Sequence, residues 1–346
     1  MSEPSTGSVR ADRNDLNRRN FLVHSLSGLA AASTMSAAWL GGRQPLHAAI
    51  PEPAASTSES LVSQLHKSLT SKQKELVAFP FDHPLRSKVD ANWHITKAVI
   101  ARDFSNDQQA LIREIFLSLH SEQYADQVMA QVEHDNRSAK RPSGFGSCSI
   151  ALFGQPGTGK FEFVFTGRHV TRRCDGDSID GAAFGGPIFY GHAAESFNEK
   201  PDHPGNIYWY QAKRANALFQ ALDGKQRKIA LRGDPRAERQ TKTVALQRDP
   251  TKLAGIPVSE LTPDQRKLAH ATMLDLLAPF RPADVRECMK LVPEAGLENI
   301  HFAFYKTRDI GNDGVWDIWQ VQGPNMVWFF RGSPHVHTWV NIQAKA

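Results

Sequence analysis

WDIWQVQGPNMVWFFRGSPHVHTWVNI, residues 316–342, alternates aromatic and β-branched residues with polar ones and is interrupted twice, at Gly323-Pro324 and at Gly332-Ser333-Pro334. Such alternation is the mark of strands, and Gly and Pro at the breaks are turn residues. The stretch therefore predicts three strands, over 316–322, 325–331 and 335–342. Connections this short cannot make a parallel crossover, so the strands pair antiparallel. A further strand over 300–305 leads in through the turn residues Gly311-Asn312-Asp313-Gly314.

Working outward, 147–153 and 161–170 alternate in the same way around Gly154-Gln155-Pro156-Gly157-Thr158-Gly159 and read as a β-hairpin. Helices are announced by a different grammar. Thr70-x-x-Gln73, Ser105-x-x-Gln108, Asp223-x-x-Gln226 and Thr262-x-x-Gln265 each precede an apolar pattern at helical spacing. This is the capping box, in which the first side chain accepts a backbone N–H bond and the glutamine returns one. Helices are expected to start near 71, 106, 224 and 263, the last with Pro263 at its first position. Capping by itself accounts for the likeness among the four starts. The segment 182–208, rich in Gly, Pro, His and Asn, reads as irregular for most of its length. The fold class is α+β, an antiparallel sheet flanked by amphipathic helices.

Gly154-Gln155-Pro156-Gly157-Thr158-Gly159-Lys160 matches the first seven positions of a phosphate-binding loop, but Phe161 stands where a Ser or Thr would hold magnesium. Residues 161–165 alternate like a strand and do not open a helix. The loop is a hairpin turn, and no nucleotide is expected.

The first 49 residues carry a second message. Asn17-Arg18-Arg19-Asn20-Phe21-Leu22 has the pattern of a twin-arginine export signal, and 21–40 is only mildly apolar, diluted by Ser25, Ser27, Gly28, Ser33 and Ser36. A stable membrane anchor needs a stronger stretch. The expected organisation is a twin-arginine signal peptide over 1–49, a flexible start over 50–60 and a single α+β domain over 61–346. The export machinery is the expected partner, and the product is periplasmic or otherwise exported.

Composition fits a globular chain: 346 residues, 40% hydrophobic, 22% charged, net charge +5. Residues 1–49 hold five arginines against three acidic residues, a surplus of two, so the remainder carries +3. That excess is too thin for a nucleic-acid-binding face, and no nucleic acid is expected. Cys148, Cys174 and Cys288 form no CxxC pair. Buried thiols suit a protein folded before export, and one disulfide plus a free thiol stays open.

Several motifs together, Leu69-Thr70-x-x-Gln73 with Phe79-Pro80-Phe81-Asp82, Gly167-Arg168-His169-Val170, 184–187, Gln226-Arg227, and Gln322-Gly323-Pro324 through His335-Val336-His337, resemble the uncharacterised family known as domain of unknown function 3500. The resemblance covers about 60–342. Members often carry Gly-His-His-Leu where this chain has Gly167-Arg168-His169-Val170, so Arg168 replaces a histidine. The resemblance implies no known activity, which leaves the chemistry to the residues.

Among 14 histidines, His335-Val336-His337 stands out because positions i and i+2 of a strand share a face. Both imidazoles can then reach one ion. A third nitrogen from His169 or His192 would complete the three-histidine shell that zinc, copper or iron accepts with a position left open. Glu195 could add a ligand or act as base, Asp175 or Asp177 could orient a ligand, and Arg168 with Arg172 and Arg173 could clamp an anionic substrate. For the arginines, a solvated charge ladder along the strand is the simpler reading. Cys174 beside Arg173 could carry a lowered pKa. Two functions are consistent with these residues: a metal-dependent hydrolase or oxidoreductase acting on an unidentified small molecule, or a non-catalytic binding protein whose Trp/Arg surface grips a carbohydrate or an acidic ligand. Trp316, Trp319, Trp328 and Trp339 read more simply as sheet core.

Overall fold

All four capping boxes form where the sequence places them. Thr70, Ser105, Asp223 and Thr262 each accept from the backbone N–H of the glutamine three residues on, and each glutamine side chain returns the bond. The computed structural model describes residues 57–139, 142–193, 205–307 and 316–344; the expected export signal, and 50–56 of the expected flexible start, lie outside them.

The boxes also do something capping does not require: they pair. Gln73 and Gln108 exchange amide hydrogen bonds at 2.8 and 3.1 Å, and Gln226 and Gln265 do the same at 2.9 and 2.7 Å. Each amide also donates to a carbonyl just ahead of its partner's helix: Gln73 to Asp103, Gln108 to Ser68, Gln226 to Glu260 and Gln265 to Ala221. The likeness among the four starts is therefore that of an internal duplication, not of capping alone.

The rest of the chain repeats in the same way. The first half runs through α1 (Thr57–Ser68), α2 (Ser71–Val77), β1 (Ala78–Phe79), α3 (Ile100–Asp103), α4 (Asn106–Ser118), α5 (Ala125–Asp135), β2 (Ser149–Gly154), β3 (Phe161–Gly167), β4 (Val170–Cys174) and β5 (Ile188–His192). The second runs through α6 (Trp209–Ala221), α7 (Gly224–Ala230), β6 (Leu231–Arg232), β7 (Ile256–Pro257), α8 (Pro263–Leu277), α9 (Pro282–Leu291), β8 (His301–Tyr305), β9 (Ile318–Gly323), β10 (Met326–Arg331) and β11 (Val336–Ile342). Residues 57–60, expected in a flexible start, are the first turn of α1, with Ser58 buried.

Along the sheet the order is β1-β2-β3-β4-β5-β11-β10-β9-β8-β6, with β7 beside β8. Each half is a four-stranded antiparallel meander edged by a two-residue strand that runs parallel to its neighbour. The halves meet where β5 and β11 pair antiparallel, Val336 opposite His192 and His337 opposite Gly191. Strand β5 lies inside the segment the sequence reads as irregular; its five residues are all buried, and apolar Ile188 and Phe189 with Tyr190 suit a central strand.

Helices cover one face. Ile150, Phe165, Tyr190, Trp328, Phe330, Val336 and Val340 pack there against Phe116, Leu218, Leu276 and their neighbours. Loops cover the other, where Phe189, Phe329 and Trp339 pack on Val89 and Val244. Trp319, Trp328 and Trp339 are fully buried and Trp316 packs half-buried against the same cluster, so the aromatic stretch is sheet core. Residues 154–160 join two paired antiparallel strands, the hairpin expected of them. Cys148, Cys174 and Cys288 are separate buried thiols. Burial pushes the Cys174 thiol well up, Glu59 adding to it, which removes the low-pKa nucleophile reading.

Beyond the end of β4, Asp175, Asp284 and Glu287 gather around the turn Ala183–Gly185, with the Phe184 N–H donating to Glu287 at 3.0 Å. Burial, then the charge of Asp175, pushes Glu287 up to about 7 from 4.5. A carboxyl with a raised folded pKa takes up a proton on folding. Its contribution to stability is therefore complete below pH 4.5 and is lost as pH rises through about 7. Across that window the melting temperature of the wild type is expected to fall relative to Glu287→Gln. Parallel profiles for the two proteins would show that Glu287 ionises as it does in water.

Candidate metal centre

At the seam between the halves, three imidazoles meet. His169 lies in the turn between β3 and β4, and His335 and His337 lie before and in β11. The ligating nitrogens of the three all fall within 4.8 Å of one another. His169 Nε2 is 3.0 Å from His335 Nε2, which is 2.9 Å from His337 Nε2.

The backbone explains how rings 166 residues apart come together. His169 holds a left-handed conformation, φ 59°, which a β-carbon disfavours and surrounding bonds must impose. Its N–H donates to Ala91 O at 2.9 Å and its carbonyl accepts from Gly191 N at 3.1 Å. Gly191 in turn pairs with His337. The row across the sheet is thus His169, Gly191, His337, and the central residue has no side chain to separate the two rings. A methyl there would lie 2.1 Å from Val336 O, a backbone atom of the paired strand. Gly191→Ala is expected to lower stability by about 2–3 kcal/mol, read from the denaturation midpoint, because the seam must open to admit it. An unchanged midpoint would mean the β5–β11 pairing yields cheaply.

Two carboxylates hold the outer rings. His169 Nδ1 lies 2.7 Å from Asp135 Oδ2, and His337 Nδ1 lies 2.6 Å from Glu238 Oε2. An ionised carboxylate only accepts, so each Nδ1 is the donor and, in a neutral ring, Nε2 carries the lone pair. Asp135 is itself fixed: its side chain is fully buried, and Oδ2 also accepts from Gln131 Nε2 at 2.8 Å. Glu238 forms an ion pair with Arg331, whose Nη1 donates to Ser333 O at 3.0 Å. Burial would raise the Glu238 carboxyl, but the bonds from His337 and Arg331 outweigh it and hold the group down at about 2.

Burial keeps His335 and His337 neutral. Burial first, then the neighbouring imidazoles and Arg331 and Arg168, pushes His335 down to about 2. Burial likewise lowers His337 to about 4, against the pull of Glu238. Neutral imidazole is the form that binds a metal ion. Two lone pairs face one point, and the third ring adjoins both. His169 and His335 are buried, while 12% of the His337 side chain is exposed. Around a tetrahedral ion at 2.0–2.1 Å, nitrogens stand about 3.4 Å apart. The spacings of 3.0 and 2.9 Å fall about half an ångström short of that value and the third lies within 4.8 Å, so a small outward shift of the rings admits the ion, and the donor set with its carboxylates fits a transition metal.

The other expected site residues fall elsewhere. His192 ends β5, pairs with Val336, and sets Nδ1 3.7 Å from Asp135 Oδ1, outside the group of three. It shares the carboxylate that orients His169. Arg168 is half-buried, with its N–H bound to Asn136 Oδ1 at 2.8 Å, and its charge reaches His335. Glu195 lies outside the described residues. Asp175 accepts from Ile179 N at 3.0 Å beyond the far end of β4, about 20 Å along the strand from His169. Arg172 and Arg173 are neither clamp nor solvated ladder. Arg172 is buried against His120 Nε2 and Phe189 O, and Arg173 is buried on Glu162. Asp135 and Glu238, which orient the rings, carry no spacing signal relative to the histidines. Only the rule that a ligating histidine gives its other nitrogen to an acceptor asks for them.

The fold and this centre define an α+β protein built of two like halves with a three-histidine cluster at their seam. The chain matches the family described as "Protein of unknown function (DUF3500)" over residues 52–343 and belongs to it. No curated protein and no solved structure matches the chain.

Proposed function

We propose that His169, His335 and His337 bind a transition metal, zinc, copper or iron, and that the protein is a metal-dependent hydrolase or oxidoreductase acting on a small molecule. The observation that carries this is the convergence of three imidazoles, two of them held by carboxylates at Nδ1. A three-imidazole shell leaves a position open for substrate, where the metal supplies Lewis acidity or, with copper or iron, electron transfer. Asp135 and Glu238 position the rings and raise their basicity. Arg168 places a positive charge beside the centre, suited to an anionic group of the substrate.

The reading extends to location. The twin-arginine pattern at Arg18-Arg19 supports export of the folded, metal-loaded protein through that machinery. Among the described residues no helix is long and apolar enough to cross a membrane.

Elemental analysis of the full chain, purified without a histidine tag, tests the centre. About one equivalent of zinc, copper or iron is expected. Less than about a tenth of an equivalent, with none taken up on titration, would overturn the reading.

A further inference from the structure

A cavity of about 420 Å³ opens on the loop-covered face of the second half, apart from the histidines. Tyr305 of β8 and Gln320 and Gln322 of β9 line it from the sheet, and Arg236, Gln247 and Lys252 from the covering loops. In the row of paired residues His337, Arg331, Ile318, Tyr305, three strand spacings separate His337 from Tyr305, about 14 Å.

Two features of its polar groups call for a ligand. Arg236 spends its donors on neutral oxygens: Thr243 O at 3.0 Å, Ala245 O at 3.1 Å, Gln322 Oε1 at 3.3 Å and Gln320 Oε1 at 3.5 Å. Among the described residues no carboxylate lies within 4.0 Å of it, although its surroundings are largely desolvated. A sheltered cation in neutral company has charge left to offer. Gln320 is the second feature. Its side chain sits in a strand whose six residues are all buried, 3% of the residue is exposed, and its Nε2 has no acceptor among the described residues. At the cavity wall that donor is available to a ligand.

We propose that this cavity binds a small hydroxylated carboxylate of the size of a monosaccharide acid. Arg236 faces its carboxylate from the wall, and Lys252, which also pairs with Asp249 at 3.3 Å, from the rim. The carboxamides of Gln320 and Gln247, which both donate and accept, match hydroxyl groups that do the same. Asp234 on the rim accepts from hydroxyls and repels multiply charged anions. The volume falls in the range of small-molecule sites. This site is independent of the metal and is expected to work in chelator-treated protein.

Calorimetric titration of the full chain, stripped with EDTA, with glucuronate, glucose and inorganic phosphate tests it. Glucuronate is expected to bind with Kd below about 1 mM and at least about 10-fold tighter than glucose or phosphate. Lys252 is on the exposed rim, so Lys252→Gln should keep the wild-type melting temperature while weakening glucuronate binding about 5-fold or more. Gln320→Leu removes the unspent donor and should weaken it similarly. No heat with glucuronate, equal binding of glucose, tighter binding of phosphate, or full affinity in both variants would each overturn the proposal.

Discussion

His337→Ala is expected to reduce bound metal from about one equivalent to less than about a tenth. The substitution removes one of three nitrogens and also frees Glu238, whose other partner is Arg331. A two-histidine remnant cannot hold the ion against chelating competitors, and His335 loses the neighbour 2.9 Å away. Glu238→Gln separates orientation from ligation. It keeps the shape but loses the negative charge on His337 Nδ1, and about 10- to 100-fold weaker metal affinity is expected. His192→Ala is the internal control, because His192 touches Asp135 and not the other three nitrogens. Elemental analysis with a chelator competition reads all three. If His192→Ala empties the protein as fully as His337→Ala, the three-histidine assignment fails.

The largest loss of stability is expected from Glu162→Ala, about 3–5 kcal/mol in the denaturation free energy. Glu162 is fully buried on β3 and faces Arg173 of β4, whose side chain is 1% exposed. Its second oxygen accepts from Arg86 Nη1 at 3.2 Å. Arg173 also donates to the carbonyls of Pro187, Arg86 and Lys88, each at 2.6 Å, and so pins the loop over this face. Removing the carboxylate leaves a buried guanidinium without its counter-charge, far costlier than removing both partners together. Glu162→Ala with Arg173→Met should therefore recover part of the loss. The same loop carries Ala91, which accepts the His169 N–H, so the single variant should also weaken metal binding. A destabilisation under about 1 kcal/mol would mean the pair is hydrated and contributes like a surface bridge.

How much of this was legible depends on the range of the interaction concerned. The capping boxes at Thr70, Ser105, Asp223 and Thr262 are closed within four residues, so their sequence determines them. The hairpin turn at 154–160 and the short turns between β9, β10 and β11 are local in the same sense. His335 and His337 share a face because a strand has period two, whatever it packs against. The central strand β5 escaped because Gly, Pro and His around it imitate a loop. What makes it a strand is pairing with β4 on one side and β11 on the other. The duplication escaped because its two halves share capping chemistry and little else that a single sequence displays.

Left to itself, the sequence determined the helix starts, the strand periodicity, the short turns and the shared face of His335 and His337, since each is settled by bonds and sterics among near neighbours. Tertiary structure alone decided that β5 and β11 form a seam, that Gly191 leaves room across it for His169, and that Asp135 and Glu238 arrive as acceptors. The physical reason is that these contacts join residues 34 to 166 positions apart, and nothing in local propensity records them. They exist only once burial of both sheet faces has brought the two halves together.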